Sequence, residues 1–529
     1  MIRSGDTGRG IGGNRGRSPR LTLYLLVFVG GAATMGIEMC ASRLLAPYFG
    51  NSLPVWGLLI GVLLAYLASG YLVGGRLADR YPHAALLYQL VAWAAFSVAL
   101  IPVAARPILR WAVTGIASYR ASAVLGSLVA VLVLFAPPVA LLGCVSPFAL
   151  RLTVKDTASS GDAAGHVYAL STLGSLIGTF LPVFVLIPTW GTRRTFLAIS
   201  LSLLITAIVG LVQTARRTAL FYWLMLGVIL LLHLGPVGSV KPAEGLLYEK
   251  VSPYNYVQVL RKGDELVLKL NEGEGIQSTY RPQQVLTGYV YDYFLLAPLF
   301  RNQSPSPPVS SLCLIGLAGG TMARQYTAVY GALPIDGVEI DPEVVDVGRR
   351  FFGLNLANLR IFIEDGRFYL ARSRSRYDVV IVDAYRPPYI PFQLTTAEFF
   401  HAVRERLTDD GVVAVNVART EGDFALVDAI GATLKAVYPS VYILDTQSDL
   451  NSIVIATRQP TQLGAITDRI ANVADATLGG VAARCDGRIR EYVPGRGQTL
   501  TDDRAPVEQI VHAMVYRYLT VHSGAEVRP

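Results

Sequence analysis

Charge is scarce in this chain. Of its 529 residues only 16% are Asp, Glu, Lys or Arg and 52% are hydrophobic, whereas ordinary soluble domains are about a quarter charged. So little charge excludes a wholly water-exposed globule and indicates that much of the chain lies in lipid. Cysteine and histidine are scarce too. Cys40, Cys144, Cys313 and Cys485 are scattered without paired spacing, and the six histidines form no cluster. Neither a disulfide framework nor a zinc site is indicated, and no metal is expected. The net charge of +8 comes without a basic stripe interleaved with aromatics, so no nucleic-acid partner is expected. It reads as loop arginines and a basic tail.

The apolarity is uneven, with nearly every long charge-free run before residue 240. Residues 1–20 are rich in Gly and Arg and cannot bury a core, so a disordered tail is expected there. The apolar stretch from Leu21 outruns a signal-peptide core and is followed by others, which favours a retained anchor over a cleaved leader. Further stretches near 53–75, 84–105, 122–150, 167–189, 195–213 and 219–238 have the ~20 residues needed to cross ~30 Å of hydrocarbon. About seven spans are therefore expected over 21–240, in a multi-pass protein of the cell membrane with lipid as a partner. Gly57/Gly61 and Gly70/Gly74 have the spacing that lets helices approach closely. Glu38, inside the first span, is either functional, held by Arg43 or Arg76, or placed close to the headgroups.

After Leu246 the pattern changes. "YVQVLRKGDELVLKLN" (256–271) alternates and breaks at Lys262-Gly263-Asp264, as a β-hairpin does. Small strands are expected over 246–300, and a Pro/Ser linker follows at 301–309. Apolar runs at 311–315, 335–340, 360–363, 378–382 and 411–417 then alternate with helical patterns. That is a βα series, so 310–520 is expected to form a mostly parallel, doubly wound sheet closed by the antiparallel pair 441–446 and 451–458. The expected fold is a multi-helical transmembrane domain plus an α/β Rossmann-like domain of the adenosylmethionine methyltransferase type, with a small N-terminal β-hairpin subdomain.

Ligands of such sheets sit beyond the carboxyl ends of the strands. Four features fall there: the turn Gly316–Thr321 in "LCLIGLAGGTMARQ", Glu339 in "VEID", Asp365-Gly366 in "IEDGR", and Asp383 ending "YDVVIVDAY". An acidic residue about 20 positions after a glycine turn typically accepts hydrogen bonds from ribose hydroxyls. Together the four point to an adenosine-bearing ligand. NAD needs G-x-G-x-x-G, and "GLAGGT" lacks it; the two aspartates fit adenosylmethionine-type ligands better.

In order, "SPYNYVQV", "EGIQSTYRP", the glycine turn, "VEID", "EDGRFYL", "YDVVIVDAYRPP" and "LTDDRAPVE" resemble the spermidine synthases. The whole chain resembles bacterial membrane proteins that fuse a transporter-like half to a spermidine-synthase-like domain, and "GGRLADR" (74–80) resembles a major facilitator loop. The resemblance implies aminopropyl transfer from decarboxylated S-adenosylmethionine to a polyamine or other amine. It implies that Gln277 and Glu339 hold ribose, that Asp365 and Gly366 with Gly316, Gly319 and Gly320 complete the donor site, and that Asp383 takes the proton of the attacking amine. Asn255, Tyr291, Asp292 and Tyr385 fall on the acceptor side of the same motifs. A homodimer is possible.

The departures concern amine recognition. Gly319 stands where the family's turn carries Asp, and Arg386 where it carries a second Asp. This opens alternatives: a methyltransferase using S-adenosylmethionine on the same fold, or a transporter-like protein that only senses a nucleoside or polyamine. Topology is in tension as well. Loop arginines favour a cytoplasmic N-terminus, which with seven spans puts the C-terminal half outside, whereas a nucleoside donor requires the cytoplasm.

Overall fold

The computed structural model describes residues 18–49, 52–119, 123–154, 156, 160–234, 241, 243–271, 275–302, 309–385, 389–448 and 450–522. Arg386 lies outside them. The chain divides into two compact units, residues 1–240 and 241–529.

The first unit is helical: α1 Ser18–Phe49, α2 Leu53–Arg80, α3 Ala84–Tyr119, α4 Ala123–Gly143, α5 Val145–Thr153, α6 Ser160–Leu181, α7 Ile187–Thr214 and α8 Arg216–Leu234. Among the described residues, six continuous helical stretches are long and apolar enough to cross a membrane. One of them, Ser160–Thr214, has 55 residues, which at 1.5 Å per residue is more than twice the ~30 Å hydrocarbon core of a bilayer. It breaks at Gly191, whose φ of 80° and ψ of 164° are not helical; this point lies between the stretches expected at 167–189 and 195–213. Close packing falls on some of the expected glycines only. A Cβ on Gly70 or Gly74 would strike Ala140, Gly143 and Cys144, while Gly57 and Gly61 face open space.

The second unit begins with a four-stranded antiparallel sheet, β1 Leu246–Val251, β2 Tyr256–Lys262, β3 Glu265–Leu270 and β4 Ile276–Tyr280. The turn expected at Lys262–Asp264 is there, with Lys262 paired to Glu265 and Gly263 at φ 63°. The main sheet comprises β5 Leu312–Ile315, β6 Ile335–Glu339, β7 Leu359–Ile363, β8 Tyr377–Val382, β9 Leu407–Ala418, β10 Ser440–Asp445, β11 Asn451–Thr457 and β12 Ile489–Glu491. Its order is β12-β10-β11-β9-β8-β5-β6-β7. Strands β9 through β7 are mutually parallel, and β10, β11 and β12 close the sheet antiparallel.

β5 and β8 are buried along their whole length, so their runs of Leu, Ile and Val read as continuous rather than alternating. The helices are α9 Thr321–Tyr330, α10 Pro342–Phe351, α11 Gly366–Arg372, α12 Ala397–Arg406, α13 Ala425–Val437, α14 Leu463–Ala471, α15 Ala476–Ala482 and α16 Val507–His522. The fold is Rossmann-like, as expected. One boundary differs. The 3-10 segment Val290–Phe300 does not belong with the small sheet; Phe294, Leu295, Leu296 and Phe300 are packed with Leu312, Leu314, Val379 and Tyr326 in the core of the main sheet.

Candidate active site

The turn after β5 is shaped by what a side chain would strike. Gly316 has φ 92°, and a Cβ there would run into the Asp383 carbonyl at the end of β8. Ala318 (φ 48°) and Gly320 (φ 85°) are also left-handed, and Gly320 caps α9. The amides of Gly316 and Leu317 both donate to the Val338 carbonyl, at 2.9 and 3.0 Å. This brings the turn against Glu339 at the end of β6. Glu339 is buried; its Oε2 accepts the Ala318 N–H at 3.0 Å and its Oε1 the Asp341 N–H at 3.1 Å. Burial pushes its carboxyl up to about 7, against the opposing pull of those backbone amides.

β4 lies over the same turn. Ser278 Oγ accepts the Gly319 N–H at 2.9 Å, while the Thr321 hydroxyl accepts the Thr279 N–H at 3.0 Å and donates to its carbonyl at 2.9 Å. Gln277 precedes Ser278 and is half-buried. On the other side, Asp365 caps α11 through Oδ1, which accepts from the amides of Arg367 (2.8 Å) and Phe368 (3.1 Å). Among the described residues, its Oδ2 receives only a long contact of 3.4 Å from Gln393 Nε2. Gly366 is small of necessity, since a Cβ would enter the Ile315 side chain.

Asp383 leaves β8 with its amide on the Ile315 carbonyl (2.9 Å). Its Oδ1 accepts from Asn416 Nδ2 at 2.8 Å. Burial raises its carboxyl to about 7, with the Asn416 bond opposing. Two tyrosines stand by. The Tyr385 hydroxyl donates to the Asn416 carbonyl at 3.1 Å and accepts the Ala418 N–H at 2.8 Å. The Tyr291 hydroxyl donates to the Ile276 carbonyl. Burial, with the Asp383 charge second, pushes both phenols up, so both are neutral donors at physiological pH.

Gly316, Gly319, Gly320, Glu339 and Asp383 thus meet at one end of the sheet, with Asp365 and Gly366 beside them. Asn255 and Asp292 are engaged elsewhere. Asn255 Nδ2 donates to Asp341 Oδ2 (2.9 Å) and its Oδ1 accepts from Asn271 (2.8 Å), which ties the small sheet to the cap of α10. Asp292 is 0% exposed. Its oxygens are taken by the Thr287 amide and hydroxyl, the Gly288 amide, Gln325 Nε2 at 2.6 Å and Arg484 at 3.0 Å. Ser278, Asn416 and Gln393 were not anticipated. Only Asn416 left a trace in the sequence, as the lone amide in "VVAVNVA".

The glycine turn, the acidic ends of β6 and β8 and the capped Asp365 lie within or at the edge of residues 315–447, which match the family model described as "Spermine/spermidine synthase domain". Residues 315–447 are a spermine/spermidine synthase domain. A probable polyamine aminopropyl transferase of Bifidobacterium longum is 37% identical over 194 residues, which is 36% of this chain and 42% of that protein. The polyamine aminopropyltransferase of Vibrio vulnificus is 30% identical over 37% of this chain and 66% of its own length. The human eEF1A lysine and N-terminal methyltransferase is 29% identical over 29% of this chain and 23% of its own. The alignments thus span less than half of the first of these relatives. Among solved structures, a probable spermidine synthase from Corynebacterium glutamicum is similar at 17% identity and a TM-score of 0.37, over 50% of this chain and 97% of that one. The synthase domain contains Glu339, Asp365, Asp383 and Asn416, whereas Gln277, Ser278 and Tyr291 precede it and are contributed by β4 and the 3-10 segment.

Proposed function

We propose that residues 241–529 form a transferase that moves an aminopropyl group from decarboxylated S-adenosylmethionine to an amine acceptor, with the N-terminal helices as its membrane anchor. The observation that carries this reading is Asp383, a desolvated, amide-tethered carboxyl at the carboxyl end of β8, directly beside the glycine turn.

An alkylammonium is not a nucleophile. Asp383, with a carboxyl raised to about 7, is matched to take its proton near neutral pH. The free amine then forms a C–N bond at the carbon next to the sulfonium. The C–S bond breaks with its electron pair going to sulfur, and methylthioadenosine leaves. In-line placement supplies most of the remaining acceleration. The donor fits the groups present. The Glu339 carboxylate accepts from the backbone amides of Ala318, Asp341 and Ile340, and a carboxylate's four lone-pair sites leave room for a ribose hydroxyl. Among the described residues Asp365 Oδ2 has only the long Gln393 contact, which leaves it able to accept from an adenine amine. Gln277 makes no side-chain hydrogen bond to another described residue and completes the ribose site.

A second reading is favoured by one feature. Gly319 has no side chain, and Ser278 fills the space beside it, so the turn offers no carboxylate to a donor's ammonium. Methyl transfer from S-adenosylmethionine fits that turn as well. Product analysis of the full-length protein with each radiolabelled donor and an amine panel tests the choice. Labelled aminopropyl product supports the first reading and labelled methyl product the second.

A further inference from the structure

We infer that Asn416 and Asn451 are positioning residues that fix which oxygen of Asp383 faces the reacting amine. The inference rests on the transfer reading above. In the sheet, Val382 pairs with Val415 across β8 and β9, and Asn451 at the start of β11 pairs with Ala418. Asp383 and Asn416 are therefore one step further along neighbouring parallel strands, and Asn451 enters at the same end from the antiparallel side. Asn416 is buried. Its Nδ2 reaches Asp383 Oδ1 at 2.8 Å and its Oδ1 accepts from Asn451 Nδ2 at 2.9 Å.

The direction of this chain follows from chemistry. An ionised carboxylate only accepts hydrogen bonds, so Asn416 must turn its NH₂ toward Asp383. Its oxygen then faces Asn451, which must donate. Asp383 Oδ1 is thereby held, and Oδ2 is the oxygen left for the proton of the amine. The Tyr385 hydroxyl, bonded to the Asn416 carbonyl and the Ala418 amide, pins the strand end that carries Asn416. Among the described residues, the titratable groups bearing on the Asp383 carboxyl are Tyr291 from the 3-10 segment and Tyr385 from its own loop. Arg419, just past the end of β9, is turned to Ser452 and Asp445.

The two amides differ from passive packing in one respect. At position 451 a donor is required, so Asn451→Asp, nearly identical in shape, should be worse than the apolar Asn451→Leu. With Asp the Asn416 amide rotates to donate to residue 451 and presents its oxygen to Asp383. The test uses full-length protein in detergent. Carbodiimide labelling of residue 383 is followed against pH by peptide mass spectrometry, which needs no turnover, and kcat and donor KM are measured alongside. We expect the labelling midpoint to rise by about one pH unit or more in Asn416→Leu and Asn451→Asp, and by less in Asn451→Leu. Transfer at pH 7 should fall about tenfold or more in the first two, with donor KM within twofold of wild type. A midpoint unchanged in both Asn451 variants overturns the role of Asn451, and one unchanged in all three overturns the inference. Midpoints that move as expected in a protein that transfers nothing leave the positioning intact and remove the transfer reading instead.

Discussion

Ser278 and Gly319 occupy one another's space. The Ser278 hydroxyl accepts the Gly319 N–H at 2.9 Å, and a Cβ on residue 319 would lie 2.9 Å from Ser278 Cβ and 3.1 Å from the Phe352 ring. The missing carboxylate of the turn is therefore a property of two residues, one on β4 and one on the turn.

Gly319→Asp alone should destabilise the second unit by about 1–3 kcal/mol, the usual cost of overpacking. Paired with Ser278→Gly it should fold normally. The double variant should then favour decarboxylated S-adenosylmethionine over S-adenosylmethionine at least tenfold more than wild type does, because a carboxylate ~4 Å from an ammonium is worth up to about 4 kcal/mol before desolvation at an effective dielectric near 20. Titration calorimetry with both donors measures this. An unchanged donor ratio in the folded double variant contradicts the account of the turn.

Glu339 and Asp383 each contribute to the pH response of the protein, in the opposite sense to His512, whose imidazole burial holds below its ordinary value. Both carboxyls are raised to about 7, from ordinary values of 4.5 and 3.8. Between the ordinary and the raised value, the folded state holds protons that the unfolded chain has released. Stability is therefore fully present below about pH 4 and is lost as pH rises through 7. Denaturant unfolding at pH 5 and pH 8 should show lower stability at pH 8, by an amount on the order of 1 kcal/mol or more for each carboxyl. Glu339→Gln should reduce the difference. An unchanged pH difference in Glu339→Gln contradicts the burial of that carboxyl.

Asp292 is a test of structural against substrate-binding character. It is fully buried and paired with Arg484 at 3.0 Å. Asp292→Ala leaves that guanidinium without its carboxylate and should cost about 3–5 kcal/mol of stability. The expected outcome is a large drop in thermal midpoint with acceptor KM little changed in the fraction that remains folded. A stable variant with a raised acceptor KM would show that Asp292 binds substrate after all.

Which side of the membrane carries the second unit is open to a direct measurement. The proposed nucleoside donor predicts a cytoplasmic location, against the loop arginines that favour an internal N-terminus for seven spans. Protease added outside intact spheroplasts should leave residues 241–529 intact and digest them after permeabilisation. Digestion from outside reverses the assignment.

The strands of the main sheet were legible because buried parallel strands are continuous apolar runs that end on polar residues, as "VVIVD" ends on Asp383. The positions of Glu339, Asp365 and Asp383, at or within two residues of the carboxyl ends of β6, β7 and β8, were legible for the same reason. What was hidden depends on pairing between distant segments. Asn416 is 33 positions from Asp383 and 35 from Asn451, and no local pattern records that register. The segment Val290–Phe300 is a short apolar run of the kind that sits equally well in either sheet; its place is decided by the space left beside Leu312 and Val379. Asp292 was placed on the acceptor side by the resemblance alone, and its partners Thr287, Gln325 and Arg484 are too scattered in sequence to be read locally.

The most direct test of the central claim is Asp383→Asn in the full-length protein, with donor dissociation constant and single-turnover transfer measured side by side. Donor affinity should stay within a few-fold of wild type, since Glu339, Asp365 and the turn are untouched, while transfer falls by about 10²–10⁴, the usual worth of a general base. Transfer at the wild-type rate in this variant would contradict the account.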